Sequence, residues 1–135
     1  MRWVLLLSAV LLAACDGGNQ GGPEAYRRFN PGKPPAEMAQ GERLFNTYCA
    51  SCHGYYGRGE GLGPALLDTL YLAPRLPDAS IEGAVANGVP QTHWRYGAMP
   101  RIARVGPAEV REIIPYVRWL QQRAGEDPNV RKPGS

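Results

Sequence analysis

With 135 residues the chain has room for one domain of ordinary size. Fifteen Lys and Arg residues stand against twelve Asp and Glu residues, giving a formal net charge of +3, which is too small to argue for nucleic-acid binding. No cluster of basic residues interleaved with aromatics reopens that possibility. Nucleic acid is therefore not expected among the partners.

The first residues have the features of an export signal. Arg2 precedes an apolar run at residues 3–12, which is shorter than the roughly twenty residues that a membrane-spanning helix needs. The run ends in Leu-Ala-Ala-Cys, which resembles the lipobox of bacterial lipoproteins. We expect residues 1–14 to be a signal peptide and Cys15 to carry lipid. The alternative is an ordinary secretory signal with a chance cysteine.

Residues 15–35 are rich in glycine, proline, asparagine and glutamine and lack apolar periodicity. This composition predicts a flexible linker with a root-mean-square span of roughly 25 Å. Tyr26 and Phe29 are its two aromatic residues. Docking of this pair on the domain is the alternative, but we expect both to be exposed to solvent.

A helix is predicted to begin near Ala36, after two prolines that favour a helix start. Its apolar face is marked by residues that recur at spacings of three and four. These residues are Met38, Gly41, Leu44, Phe45 and Tyr48.

The helix leads into the motif Cys-Ala-Ser-Cys-His at residues 49–53. Cys49 and Cys52 lie one helical turn apart and are followed directly by His53, which is the attachment signature of a c-type haem. A thioredoxin-like dithiol is a second interpretation, but it requires a preceding strand and a parallel sheet, and neither is predicted. A zinc site built from these three residues and His93 is a third, although structural zinc prefers two spaced ligand pairs.

Five glycines occur among residues 54–63, so this segment is predicted to be a loop that can approach a flat macrocycle closely. The leucines that follow are expected to cover the haem. They are Leu66, Leu67, Leu70 and Leu72. A short helix is predicted over residues 80–87, with Ser80 as its N-cap and Gly88 just past its end.

The last helix is predicted to start at Pro107 and to end near Gly125 and Pro128. Pro115 falls inside it and is expected to bend it, because proline removes one backbone hydrogen bond. Residues 125–135 are predicted to form a disordered tail. The buried stripe of this helix consists of Val110, Ile113, Ile114, Val117 and Leu120.

From about residue 36 to residue 123 the chain resembles the class I cytochrome c family. The resemblance rests on the haem motif, on Gly-Pro-Ala-Leu at residues 63–66, on Met-Pro at residues 99–100 and on Tyr116 in the last helix. It implies an all-α fold in which three to four helices surround one covalent haem, over residues 36–124. A domain of this size has little core of its own, and the haem would supply apolar volume.

The family resemblance also implies roles for single residues. Cys49 and Cys52 would bind heme c covalently, and His53 and Met99 would be the two axial ligands of its iron. The carbonyl of Pro64 would accept a hydrogen bond from the other ring nitrogen of His53 and so fix its tautomer. His93 stays open as an alternative distal ligand, which would give a lower reduction potential.

Gly41 and Phe45 fit a second family feature, a close crossing with an aromatic residue of the last helix. In the resembled family these positions lie where the first and last helices meet. Tyr116 is the matching aromatic residue in this chain.

These features together predict a membrane-anchored monohaem cytochrome that carries single electrons between membrane-bound donor and acceptor complexes of a respiratory chain. It would not be an enzyme, and it would lie at the periplasmic face of a bacterial cytoplasmic membrane. Asp16, directly after Cys15, resembles the inner-membrane retention signal of enteric lipoproteins. Two alternatives remain: a bound cytochrome subunit of a larger redox enzyme, and a haem-based gas sensor.

Overall fold

The computed structural model describes residues 23–92 and 96–130. The predicted signal peptide, Cys15 and His93 lie outside this part of the chain. Within it the fold is all-α, as predicted, and the one extended pairing among these residues is an isolated antiparallel bridge between Val89 and Met99. None of the helices described is both long and apolar enough to cross a bilayer. The α-helices are α1 (Pro23–Tyr26), α2 (Ala39–Tyr48), α3 (Ala50–His53), α4 (Asp78–Asn87) and α5 (Pro107–Glu126).

Helix α2 is preceded by one 3-10 turn at Ala36–Met38, so the regular helix begins three residues later than the start near Ala36. The helix face predicted from the apolar spacing is the face that packs against the hydrophobic core. Gly41 and Phe45 are buried, and Met38, Leu44 and Tyr48 are partly buried against the same core.

The core is organised where α2 crosses α5. A Cβ atom built on Gly41 would collide with the carbonyl oxygen of Glu112 and would lie 3.1 Å from the Cβ of Tyr116, so glycine is required for this close approach. One turn further along, the rings of Phe45 and Tyr116 meet at a centroid distance of 5.6 Å and an angle of 59°. The expected contact of Gly41 and Phe45 with Tyr116 is confirmed.

Helix α5 starts at Pro107, as predicted, and its five expected core residues are all buried. Its first turn is closed by Glu109, whose carboxylate accepts a hydrogen bond from the backbone N–H of Gly106 at 3.0 Å. The helix is continuous through Pro115, and Pro115 is exposed to solvent. It ends at Glu126, so Gly125 lies inside it.

Helix α4 begins two residues earlier than expected, at Asp78. Ser80 is therefore inside the helix, and its predicted role as the N-cap is wrong. Pro77 occupies the cap position in an extended conformation and its carbonyl accepts the N–H of Ser80 at 2.9 Å. The other end is as predicted, because Gly88 terminates α4 with φ of +77°.

Residues 23–35, here called the N-terminal strap, pack against the domain. Tyr26 is 2 % exposed and Phe29 is 1 % exposed, so the expectation that both face solvent is wrong. Burial, together with the nearby Asp68, raises the pKa of Tyr26 to about 12. Arg58 donates from Nη1 to the carbonyls of Arg27 and Phe29, at 3.0 and 3.4 Å. Burial of one large apolar side chain contributes about 1.5–3 kcal/mol, so both aromatic residues favour the packed position of the strap.

A smaller correction concerns the C-terminal segment. Val130 is 7 % exposed and belongs to the hydrophobic core, so the predicted disorder is wrong for this residue. Its N–H bonds to the carbonyl of Asp127 at 3.2 Å, which turns the chain back after α5.

The α2–α5 crossing can be tested with two glycine substitutions in helices. Gly41→Ala should lower the free energy of unfolding by about 1–3 kcal/mol, because the helices must separate to admit a methyl group. Gly83→Ala is the matched control: nothing lies within 4 Å of a Cβ built there, and the change should stabilise α4 by about 0.5–1 kcal/mol. Urea unfolding of both variants measures the difference. Equal stability of the two would contradict the close approach.

Candidate functional site

A cavity of about 550 Å³ lies between the helices, a size typical of small-molecule sites. Its wall is largely apolar and is contributed by α2, α3, α4, α5 and the segments around residues 64–76, 89–92 and 96–99. Leu66 and Leu70 line it, as expected of haem-covering leucines, whereas Leu67 is buried in the core. Further lining residues are Phe45, Ile81, Ala84, Val85, Tyr96, Ile113 and Val117.

Four of the five residues predicted to hold a haem line this one cavity: Cys49, His53, Pro64 and Met99. The fifth, Cys52, is half-buried on the same helical turn and is not part of the lining. Its N–H bonds to the carbonyl of Cys49 at 3.2 Å. Cys49 and Cys52 form no disulfide, and burial, with the neighbouring Cys52, raises the pKa of the Cys49 thiol to about 11.

His53 is held by the contact that the family resemblance implied. Its Nδ1 lies 2.9 Å from the carbonyl oxygen of Pro64. Because a carbonyl can only accept, Nδ1 carries the hydrogen, and Nε2 keeps a free lone pair. Burial lowers the pKa of His53, against a smaller opposing effect of the Pro64 hydrogen bond. The side chain is therefore prepared as a neutral imidazole, which is the form that binds a metal ion.

The glycine-rich loop packs directly on His53. The N–H of Gly63 donates to the carbonyl of Cys52 at 2.7 Å, and the N–H of Gly59 donates to the carbonyl of His53 at 2.6 Å. A Cβ atom on Gly63 would lie 3.1 Å from two ring atoms of His53. The loop thus fixes the imidazole from the side while Pro64 fixes it from its Nδ1 edge.

Met99 is positioned by backbone pairing. Two hydrogen bonds of 2.9 and 2.8 Å join it to Val89, and the N–H of Ile102 donates to the carbonyl of Val85 at 2.9 Å. These bonds attach the segment to the end of α4, so Met99 is held at the cavity although it lies in an irregular segment.

Two polar residues of α5 hold the cavity wall and were missed in the sequence. Gln121 is 7 % exposed and also lines the cavity. Its Nε2 donates to the carbonyl of Leu66 at 2.8 Å and to that of Tyr71 at 2.9 Å. The available signal was its position four residues after Val117, which places a polar side chain on the apolar stripe.

Arg118 completes this polar cluster. Its guanidinium pairs with Asp78 at the start of α4 at 2.8 Å and donates to Gln121 at 2.8 Å. It also donates to the carbonyls of Tyr71 and Leu76, at 2.9 and 2.5 Å. The segment of residues 66–76 is therefore attached to α5 and α4 through its backbone oxygens.

The described part of the chain gives no support to the zinc interpretation, and His93 lies outside it. Among residues 23–92 and 96–130, no three His, Cys, Asp or Glu side chains converge as a metal site.

The comparisons with known proteins agree with the haem motif. A family described as cytochrome C oxidase, cbb3-type, subunit III matches residues 36–117. The chain belongs to this family. It is 39 % identical over 90 residues to a Cbb3-type cytochrome c oxidase subunit CcoP from Rubrivivax gelatinosus, a match that covers 65 % of this chain and 27 % of that subunit.

A solved structure is also similar, that of the c-type cytochrome XoxG from Methylobacterium extorquens AM1. The match has 26 % identity and a TM-score of 0.48, and it covers 74 % of this chain and 58 % of the other. The chain thus spans little more than half of that cytochrome and about a quarter of the oxidase subunit.

The polar attachment of the cavity wall can be tested at two neighbouring glutamines. Gln121→Ala removes two hydrogen bonds to backbone carbonyls and the one that Gln121 accepts from Arg118, and it should lower the free energy of unfolding by about 1–3 kcal/mol. Gln122→Ala is the control, since Gln122 is exposed and bonds only to Glu126 at 3.1 Å. Denaturation followed by circular dichroism measures both changes. A loss no larger at Gln121 than at Gln122 would show that the wall does not depend on this attachment.

Proposed function

We propose that this protein is a membrane-anchored cytochrome with one covalent haem, which carries single electrons between respiratory partners. The observation that supports the proposal most directly is the meeting of Cys49, His53 and Met99 at one apolar cavity, with the imidazole of His53 already oriented by Pro64. In this proposal the protein is not itself an enzyme, because these residues serve to attach the haem and to bind its iron.

The residues fit a haem in their chemistry as well as in their placement. The thiols of Cys49 and Cys52 would form the two covalent links, and Nε2 of His53 would bind the iron. Met99 would supply the second axial ligand, a soft thioether that raises the reduction potential. When bound, the haem supplies one reversible electron at its iron. With two protein ligands on the metal, no position is left for a substrate.

A second candidate function is that of a bound cytochrome subunit in a larger redox complex. It is favoured by the family assignment and by the relative from Rubrivivax gelatinosus, which is named as an oxidase subunit. Extraction in mild detergent separates the two candidates. A bound subunit should co-purify with the other subunits of its complex, whereas a carrier should purify alone.

The location that we propose is the periplasmic face of the cytoplasmic membrane, with Cys15 as the anchor. A single acyl chain binds a membrane only marginally, whereas two hold a protein firmly. A bacterial lipoprotein cysteine carries at least the two chains of a diacylglyceryl group. Membrane-bound donor and acceptor complexes would then be the partners.

The covalent links predict the outcome of a haem stain. Protein matured together with a cytochrome c assembly system should keep its stain after denaturing electrophoresis, because thioether bonds survive unfolding. Cys49→Ala or Cys52→Ala should each weaken retention, since one link is lost. Extraction of the haem from the unaltered protein into acid acetone would contradict covalent attachment.

The role of Met99 predicts a spectral and a redox change. Met99→Ala should abolish the long-wavelength sulfur-to-iron band of the ferric protein and lower the potential by on the order of 0.1 V, within the roughly 0.8 V range that axial ligands cover. The ferrous variant should bind carbon monoxide, because one axial position is open. The control is Met38→Leu, a partly buried methionine that packs against the core.

Three outcomes would revise this assignment. If His93→Ala abolished the band and Met99→Ala did not, the distal ligand would be His93. Loss of the band in Met38→Leu would also contradict the role of Met99. Ready binding of carbon monoxide by the unaltered ferrous protein at neutral pH would favour the gas-sensor alternative over electron transfer.

A further inference from the structure

The N-terminal strap changes the length of chain that is free between the proposed anchor and the folded domain. Seven residues, 16–22, separate Cys15 from Pro23, the first residue of α1. Fully extended, that stretch reaches at most about 28 Å. The sequence alone predicted a linker of roughly twenty residues.

This length is short compared with the domain. A compact unit of the size of residues 23–130 has a radius of gyration of about 13 Å, which corresponds to a sphere about 34 Å across. A tether shorter than the diameter cannot let the domain turn every face to the bilayer equally. The face that carries the start of the strap is therefore kept within about 28 Å of the lipid.

The strap is attached firmly enough to transmit this constraint. Its aromatic side chains Tyr26 and Phe29 are buried, and the guanidinium of Arg58 holds two of its carbonyls. Arg58 itself follows the haem motif by five residues and forms an ion pair with Glu60 at 3.3 Å. Arg58 therefore links the strap to the loop that packs on His53.

The exposed side chains of the strap have the charge that suits an anionic surface. Arg28 and Lys33 are exposed, whereas Arg27 is paired with Glu24 at 3.2 Å. Basic residues next to a lipid anchor are attracted to the negative headgroups of the bilayer, and this attraction decays within a Debye length. Two such residues beside a short tether add an orienting force to the anchor.

We infer that the N-terminal strap is the membrane-facing surface of this protein, and that its partner is an anionic phospholipid bilayer. The inference rests on the proposed lipidation of Cys15. The haem domain then has a preferred orientation on the membrane, and it does not sweep freely on a long linker.

The test uses the lipidated, haem-loaded protein on vesicles of phosphatidylglycerol and phosphatidylcholine that carry a headgroup quencher. A fluorophore is attached to one introduced cysteine at a time. Asn30→Cys reports on the strap, and Ala86→Cys, Ala108→Cys and Gln122→Cys report on exposed sites of α4 and α5. We expect quenching at position 30 to exceed that at the other three positions several-fold. Equal quenching at all four, or strongest quenching on α4 or α5, would overturn the inference.

Three double variants test which feature of the strap produces the difference in quenching. Tyr26→Ser combined with Phe29→Ser should release the strap, restore a long tether and reduce the contrast between positions, while the protein stays on the vesicles. Because this variant removes core residues, Arg28→Glu with Lys33→Glu tests the surface alone and should also reduce the contrast. Arg104→Glu with Arg111→Glu makes the same charge change at exposed sites elsewhere and should leave the contrast intact.

Failure of the anchor is distinguishable from failure of the orientation. Cys15→Ser should release the protein from the vesicles with an unchanged haem spectrum. Its continued binding, or an unmodified N-terminus in the mass spectrum of the unaltered protein, would refute the lipid anchor. A firmly bound protein with equal quenching at every position would refute only the orientation.

Discussion

The close approach of α2 to α5 is the contact on which the rest of the structure depends. Because Gly41 has no side chain, its backbone reaches the carbonyl of Glu112, and Phe45 can then pack on Tyr116. The same helix continues directly into the turn that carries the haem motif. The position of His53 at the cavity is therefore set by a packing contact three helical turns earlier in the chain.

A chain of this size has few apolar residues to spare, and polar contacts with the backbone hold the wall around its cavity. Arg118 and Gln121 bind carbonyls of the segment that covers one side, and pairing with Val89 holds Met99 on another. Because these hydrogen bonds use only backbone groups of the attached segments, the side chains of those segments can still face the cavity. An apolar interior can thus be lined by segments that have no regular secondary structure.

The sequence alone predicted the features that depend on residues close to one another in the chain. The haem motif, the stripe of α5 and the glycine that ends α4 depend on spacing or on one residue's backbone preference. The burial of Tyr26 depends instead on a surface distant in sequence, and the bonds of Arg118 depend on carbonyls more than forty residues away. The start of α4 was predicted wrongly even though it depends on nearby residues. Both Ser80 and Pro77 are suitable residues for a helix start, and the sequence alone did not decide between them.

Because Met99 is paired with Val89, its position does not depend on how many residues lie between the two. Val89 and Met99 are the two points at which the segment between them begins and ends, and their backbones are hydrogen-bonded to each other. Each doubling of such a loop costs only about 0.6 kcal/mol in closure entropy. Insertions between the two points can therefore accumulate in evolution, or be grafted by design, and reshape the surface around the cavity while the sulfur ligand keeps its place.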